Sequence, residues 1–150
     1  GKATARFERF SNELKAKVKA AGLENRIIWY GEVPFDQISG VYNAMSFVVA
    51  PSRYEGFGLT PLEAMASGAP VIAADTGAYA TMIEPGINGY IFPVHATDKF
   101  KEYLQRLMND PESIPTMSDD CQRRVREQFS IEGEVRGIAE VYHRLWDAES

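Results

Sequence analysis

Two glutamates, Glu55 and Glu63, flank seven residues in the stretch EGFGLTPLE. Ionised carboxylates only accept hydrogen bonds, and sugar hydroxyls donate them. Between the two acids, Gly56 and Gly58 free the backbone for unusual dihedrals and for close approach to a ligand. Thr60-Pro61-Leu62-Glu63 then reads as a helix start: Thr60 as cap, Pro61 at the first helical position, Glu63 completing a capping box. The unpaired amides of such a start, aided by the helix dipole, favour an anion. Pro61 has no N–H, so Leu59, Thr60 and Leu62 must supply the donors. An anion site with a carboxylate at each end suits a diphosphate flanked by two sugars, as in a nucleotide-sugar.

Other readings compete on the same residues. A capping box alone explains Glu63, although one carboxylate can both cap and bind ligand. Phe57 reads as a packing residue rather than a stacking platform. Gly56-Phe57-Gly58 resembles the start of a dinucleotide fingerprint, with Asp75 about where a ribose-binding acid would stand. Pro61 in place of the third glycine, a late loop start and a short following helix argue against that motif. Asp75 then reads as a strand-end residue capping the next helix.

The elements that must position the loop follow from periodicity. Phe7, Phe10, Leu14, Val18 and Ala21 mark one face of a helix over 3–21, stopped by Gly22. RIIWYGEV is a short apolar run suited to a buried strand. Ile38, Val41, Tyr42 and Met45 mark a second helix. SFVVAP, PVIAAD and GYIFPV are further buried strands. The Thr60 helix lasts about two turns before Gly68 and Pro70. A short helix is expected from about Ala78 to Glu84, and Pro85-Gly86 and Asn88-Gly89 are turn signals. Helices follow at about 97–109 and 118–128, and a last one, capped by Ser130, runs to about Trp146. Strands alternating with helices predict an α/β fold with a parallel sheet and right-handed crossovers. The loop then leaves the C-terminal end of a strand, the edge where open parallel sheets bind ligands.

Bulk properties narrow the partners. The 150 residues suit one domain, and 45% are hydrophobic, enough for an ordinary core. A net charge of −5 and the lack of a basic stripe with aromatics exclude nucleic acid. Arg123, Arg124 and Arg126 read as a solvated helix face. Cys121, the single cysteine, excludes an internal disulfide, suits a reducing compartment and reads as inert. No apolar run is long enough to span a membrane, and no signal peptide is expected.

The segment PSRYEGFGLTPLEAMASGAPVIAADTGAYATMIEPGINGYIFP closely resembles the donor-binding half of retaining glycosyltransferases of family four, on the GT-B fold. Their pattern is Glu, seven residues, Glu, preceded by Pro-Ser and followed by a helix like Glu-Ala-Met-Ala-Ser-Gly. NRIIWYGEVP resembles the family's base-binding strand, and Glu84 to Gly89 the turn before its last strand. The resemblance implies that Glu63 binds ribose hydroxyls and that Glu55 contacts the donor sugar near its reacting face. The backbone at Gly56, Phe57 and Gly58 would hold sugar hydroxyls, and the amides of Leu59 and Thr60 the diphosphate. The backbone around Gly31 and Val33 would meet the base, and Arg53 would reach the site. No metal or other cofactor is implied. His95 and His143 match no family site and read as surface histidines.

The expected fold is therefore a Rossmann-like parallel sheet with flanking helices, a GT-B C-terminal domain lacking its first two strands. In the usual order 3-2-1-4-5-6, RIIWYGEV would be strand three, and the absent strands belong between it and SFVVAP. Residues 1–150 are expected to form a single donor-binding domain of a longer, two-domain enzyme, inactive alone. Its sheet could also be completed by another chain. The implied reaction moves a sugar from a nucleoside diphosphate to an acceptor hydroxyl with retention. The acceptor, a carbohydrate or a lipid-linked one, would sit on the absent half. The overall character suggests a bacterial lipopolysaccharide mannosyltransferase using GDP-mannose or another nucleotide-sugar, cytoplasmic or peripheral to a membrane. A non-catalytic nucleotide-sugar-binding module and a sugar-nucleotide epimerase of related fold remain alternatives. The apolar stripe Ile131, Val135, Ile138, Tyr142, Leu145 and Trp146 would pack on its own domain by default. The family's last helix crosses to the other half, so Tyr142 to Trp146 are expected exposed or covered by a neighbouring chain.

Overall fold

A computed structural model describes residues 5–148. The chain forms two compact units, Gly1–Pro34 and Phe35–Ser150.

The first unit holds α1 (Ala5–Ala20) and a 3-10 turn at Glu24–Arg26. Residues 3 and 4 and the side chain of Phe7, parts of the expected helix face, lie outside the described residues. Gly22, at φ 66, stops α1. Its amide donates to the Lys19 carbonyl at 2.9 Å, and the Leu23 amide to that of Val18 at 3.1 Å. This is the Schellman pattern, which satisfies two end carbonyls that have no partner inside the helix. The Lys15 ammonium lies 5.7 Å from the centre of the Trp29 ring. RIIWYGEV corrects the sequence reading, because it forms no strand. Ile27 is extended, at φ −124 and ψ 126, but no strand pairs with the segment among the described residues, and Ile28, Trp29 and Tyr30 are exposed. An apolar extended run becomes a strand only when a neighbour takes up its backbone N–H and C=O groups.

The second unit is the α/β layer. Its elements are α2 (Ile38–Asn43), β1 (Val48–Ala50), α3 (Leu59–Ala66), β2 (Val71–Ala74), α4 (Tyr79–Met82) and β3 (Gly89–Phe92). Then come α5 (Thr97–Asn109), α6 (Ile114–Gln128) and α7 (Ile131–Ala148). The strands pair in parallel in the order β1-β2-β3, with Val48 opposite Val71 and Val71 opposite Gly89. Parallel pairing sets the three C-terminal ends on one edge. Residues 51–58, 75–78 and 93–96 all leave from there.

β2 is buried along its whole length and faces two cores. Val71 and Ala73 join Ala64 and Met65 of α3, Tyr79 and Met82 of α4, and Cys121 of α6. Ile72 and Ala74 join Tyr90, Phe92, Leu107 and Met117. Alternation across the strand thus serves both faces, which explains the continuous apolar run. Tyr90 stacks on Tyr103 of α5 at 4.7 Å. Gly68, at φ 83, closes α3 as expected, with the Ala69 amide donating to the Ala64 carbonyl at 2.9 Å.

The C-terminal helices differ in detail from the reading. α6 begins earlier than expected, at Ile114. Ser130 caps α7, its hydroxyl accepting from the Gly133 amide at 3.2 Å. The α7 stripe is not buried: Ile131, Val135, Ile138, Tyr142, Leu145 and Trp146 are all exposed. The Arg cluster divides. Arg123 pairs with Asp120 on the surface. Arg124 is largely covered: one Nη lies 2.6 Å from Glu84, and the other donates to the Thr81 carbonyl at 2.8 Å. It ties α6 to the end of α4 instead of standing in solvent.

Candidate donor site

The loop of interest leaves β1 at Pro51 and enters α3 at Leu59, the strand-to-helix passage expected of a ligand edge. The helix start corrects the sequence reading. Gly58 occupies the cap position at φ 87, and no side chain caps α3. Thr60 lies inside the first turn, and Pro61 is the third helical residue. Glu63 is therefore the fifth, too far along to reach back to the cap amide. Glycine prevails because a left-handed φ costs it almost nothing, while threonine would be strained there.

Released from capping, Glu63 has a different partner. The Tyr42 hydroxyl of α2 donates to Glu63 Oε2 at 3.2 Å, and Thr60 lies beside the same hydroxyl. Burial raises the Tyr42 phenol above its ordinary value, and the Glu63 charge raises it further. Glu55 is half-buried, close enough for its charge to act on the phenol of Tyr79, a side chain only 1% exposed. Burial again comes first in raising the phenol, followed by the Glu55 charge. Each acid of the motif thus lies near one buried tyrosine, Glu63 bonded to Tyr42 of α2 and Glu55 beside Tyr79 of α4. Neither tyrosine was singled out for the site from sequence. The contact between Tyr42 and Glu63 spans 21 residues, so no local spacing announces it.

The remaining expected residues fall into three places. Gly56, Phe57, Leu59 and Thr60 stay with the loop on the exposed edge. Phe57 packs edge-on against Phe129, centroids 6.4 Å apart, in keeping with a packing role. Arg53, with Pro51, Ala74, Phe92, Val94 and His95, lines a pocket at the C-terminal ends of the strands. His95 adopts φ 74 there and is exposed, as is His143. Gly31, at φ 70, and Val33 belong to the first unit. Asp75 does not cap α4: its amide donates to the Phe92 carbonyl at 2.8 Å, and no side chain caps that helix.

Gly77 is a contributor that the sequence reading passed over. At φ 56, a Cβ there would meet the backbone oxygens of Gly56 and Glu55. The 75–78 turn is thus fitted against the loop, and the Thr76-Gly77 step after β2 was the available signal. Among the described residues no group of three or more His, Cys, Asp or Glu side chains could hold a metal ion. No described helix is long and apolar enough to cross a membrane.

A parallel sheet covered by helices on both faces, with its strand-to-helix loop at the C-terminal edge, is the Rossmann-like layer of a GT-B C-terminal domain. Within that class the chain belongs to the glycosyl transferases group 1, whose family model matches residues 8–128. It is 41% identical over 145 residues to the lipopolysaccharide core biosynthesis mannosyltransferase LpcC of Rhizobium leguminosarum bv. viciae, covering 97% of this chain and 41% of that protein. The C-terminal domain of the group 1 glycosyl transferase LpcC from Francisella tularensis superposes with a TM-score of 0.78 at 35% identity, covering 86% of this chain and 67% of that one. HepE of Anabaena, solved in complex with UDP, gives 0.81 at 25% identity, covering 95% and 39%. The chain spans about two fifths of the length of the curated relative it matches, 41%.

Proposed function

We propose that this chain supplies the donor-binding half of a retaining glycosyltransferase. The enzyme would move a sugar, mannose by preference, from a nucleoside diphosphate to an acceptor hydroxyl. The observation that carries the reading is the 51–59 passage: a helix start without a side-chain cap beside two carboxylates, Glu63 bonded to the buried Tyr42 and Glu55 near the buried Tyr79. The mannosyltransferase relative supports the sugar, and the UDP bound to HepE supports a nucleoside diphosphate as leaving group.

In this reading the first-turn amides of α3 face the diphosphate and stabilise the charge that develops on it as the sugar departs. Glu63 takes the ribose hydroxyls. Glu55 accepts from a donor-sugar hydroxyl and stabilises the positive charge that grows on the sugar. The acceptor attacks from the face the phosphate leaves, without a covalent enzyme intermediate and without a metal. The rest of a full-length protein would hold the acceptor, at the cytoplasmic surface of a membrane for a lipid-linked one.

The test is Glu55→Gln in the full-length enzyme. Turnover at saturating donor should fall by about 10²-fold, the scale for losing one preorganised electrostatic contact. Affinity for the free nucleoside diphosphate should hold, because Glu55 touches only the sugar. Unchanged turnover would falsify the role given to Glu55. Calorimetry of the same protein with GDP, UDP and ADP would rank the bases, and GDP is expected first.

A further inference from the structure

Between Glu55 and Leu59, Phe57 is the one residue that brings a side chain, because its neighbours Gly56 and Gly58 have none. Those glycines free the backbone, and such freedom is lost at a cost when a ligand binds. Gly58 and the Gly56 carbonyl rest against Tyr79 and Gly77. The side chain available to hold the stretch is that of Phe57. Its ring meets Phe129 edge-on, with centroids 6.4 Å apart and planes at 65°. This is a favoured arrangement for two aromatic rings, because the positive edge of one faces the negative face of the other. The ring is not walled into a core: Phe57 is 49% exposed and lines a cleft of about 520 Å³ with Leu59, Leu62, Phe129, Gly133 and Glu134.

Phe129 is a firm support for that ring. It closes α6, its amide donating to the Val125 carbonyl at 2.9 Å, and the next residue, Ser130, caps α7. Two helix ends thus fix its backbone. Its side chain packs on the core cluster that holds Met65 of α3 and Cys121 of α6. α6 in turn is seated on the end of α3, where a Cβ on Gly68 would run into Ser118 Oγ and Gln122 Nε2. The donor loop and the helical C-terminal third, far apart in sequence, meet at these two rings.

We infer that Phe129 is a positioning residue of the donor site, holding the Gly56–Gly58 backbone through the ring of Phe57. The inference rests on the donor-site reading above, in which that backbone holds sugar hydroxyls. The test is a double-mutant cycle in the full-length enzyme with Phe129→Leu and Phe57→Leu, which keep apolar bulk and remove the rings. Each change should lower kcat/KM for GDP-mannose about 3- to 10-fold, the scale of one aromatic pair. Affinity for free GDP should stay within about 2-fold, because the diphosphate rests on the amides that follow. The double variant should lose no more than either single one, within about 2-fold. Unchanged kcat/KM in both single variants overturns the inference, and so do losses that multiply in the double.

Hydrogen exchange reads the same contact without turnover. In Phe129→Leu the amides of residues 56–59 should exchange about 3- to 10-fold faster than in wild type, while those of β2 keep their rates. Phe57→Leu, at a half-exposed position, should give the same local change and serves if Phe129→Leu is too unstable to assay. A general loosening of the fold would speed exchange in β2 as well, and that result overturns the inference, as does an unmoved rate at 56–59. If exchange quickens at 56–59 while turnover holds in the ring variants and in Glu55→Gln, the donor-site reading has failed and the inference falls with it. If Glu55→Gln loses turnover while the ring variants keep it, the reading stands and the role of Phe129 alone is overturned.

Discussion

At the scale of single residues, the two acids of the motif are not equivalent, and their tyrosines show why. Glu63 is on the helix and bonds to Tyr42, whose ring packs into the core with Ala64 and Met65. Glu55 is on the loop, and the ring of the nearby Tyr79 lies against Gly58. Loss of the Tyr42 hydroxyl should therefore act on binding rather than on the chemical step. Tyr42→Phe is expected to weaken nucleoside diphosphate binding about 3- to 10-fold while kcat at saturating donor stays close to wild type. Glu63→Ala should cost about 1–3 kcal/mol of the same binding, the range for a charged hydrogen bond left unmade. Calorimetry reads both. If Tyr42→Phe lowers kcat and leaves affinity intact, Glu63 is not the ribose-binding acid. The buried tyrosines were invisible to sequence reasoning because each joins its acid only after separate helices have packed.

At the scale of elements, α3 shows how a local rule can select the wrong start. Both Thr60 and Gly58 are acceptable caps by residue type. The backbone decides between them, since the loop reaches the helix at φ 87, where threonine would be strained. Two alanine substitutions separate conformational need from composition. Gly58→Ala combines that φ with a Cβ driven into Tyr79, and it should cost at least about 2 kcal/mol in urea unfolding and weaken nucleotide binding as well. Gly56→Ala, where a Cβ meets nothing within 4 Å, should stay within about 0.5 kcal/mol of wild type. Equal costs at both sites would mean that the ring does not lie against Gly58. Much of the fold was legible by contrast. β1, β2 and β3 follow from apolar runs bounded by turn residues, and α5 matches its expected limits. RIIWYGEV carries the same signature as those strands and pairs with none among the described residues, because pattern reports a capacity for burial and pairing needs a partner. For the site, the loop and its strand-to-helix setting were legible. The tyrosines near the two acids and the part played by Gly77 were not, since tertiary packing alone determines them.

At the scale of the whole second unit, the helical C-terminal third meets the sheet at a buried polar point. Asn88, 1% exposed, accepts from the Glu84 amide at 2.8 Å and donates to the Met82 carbonyl at 3.3 Å. Its own carbonyl accepts from Cys121 Sγ of α6 at 3.1 Å. The Asn88-Gly89 step that reads as a turn is also the staple between α4, β3 and α6. The thiol serves as a proton donor, and burial, followed by the charge of Asp120, pushes its pKa up to about 12 from 9.0. The sign of the pH dependence follows. Below about pH 9 the thiol is protonated in folded and unfolded chains alike, and its contribution is complete. Between about 9 and about 12 the unfolded chain releases a proton that the folded chain keeps, so stability falls as pH rises. The slope approaches 1.4 kcal/mol per pH unit for one proton, about the most a single group can contribute. Cys121→Ser keeps a donor for the Asn88 carbonyl and does not titrate in this range. Tyrosines and lysines also titrate there, so the informative quantity is the stability difference between wild type and Cys121→Ser in urea. That difference should shift against wild type by about 1–2 kcal/mol from about pH 8 to about pH 10.5. A constant difference across that range would show that the thiol ionises as readily in the folded chain as in the unfolded one, and Cys121 would then not be buried between α6 and the sheet.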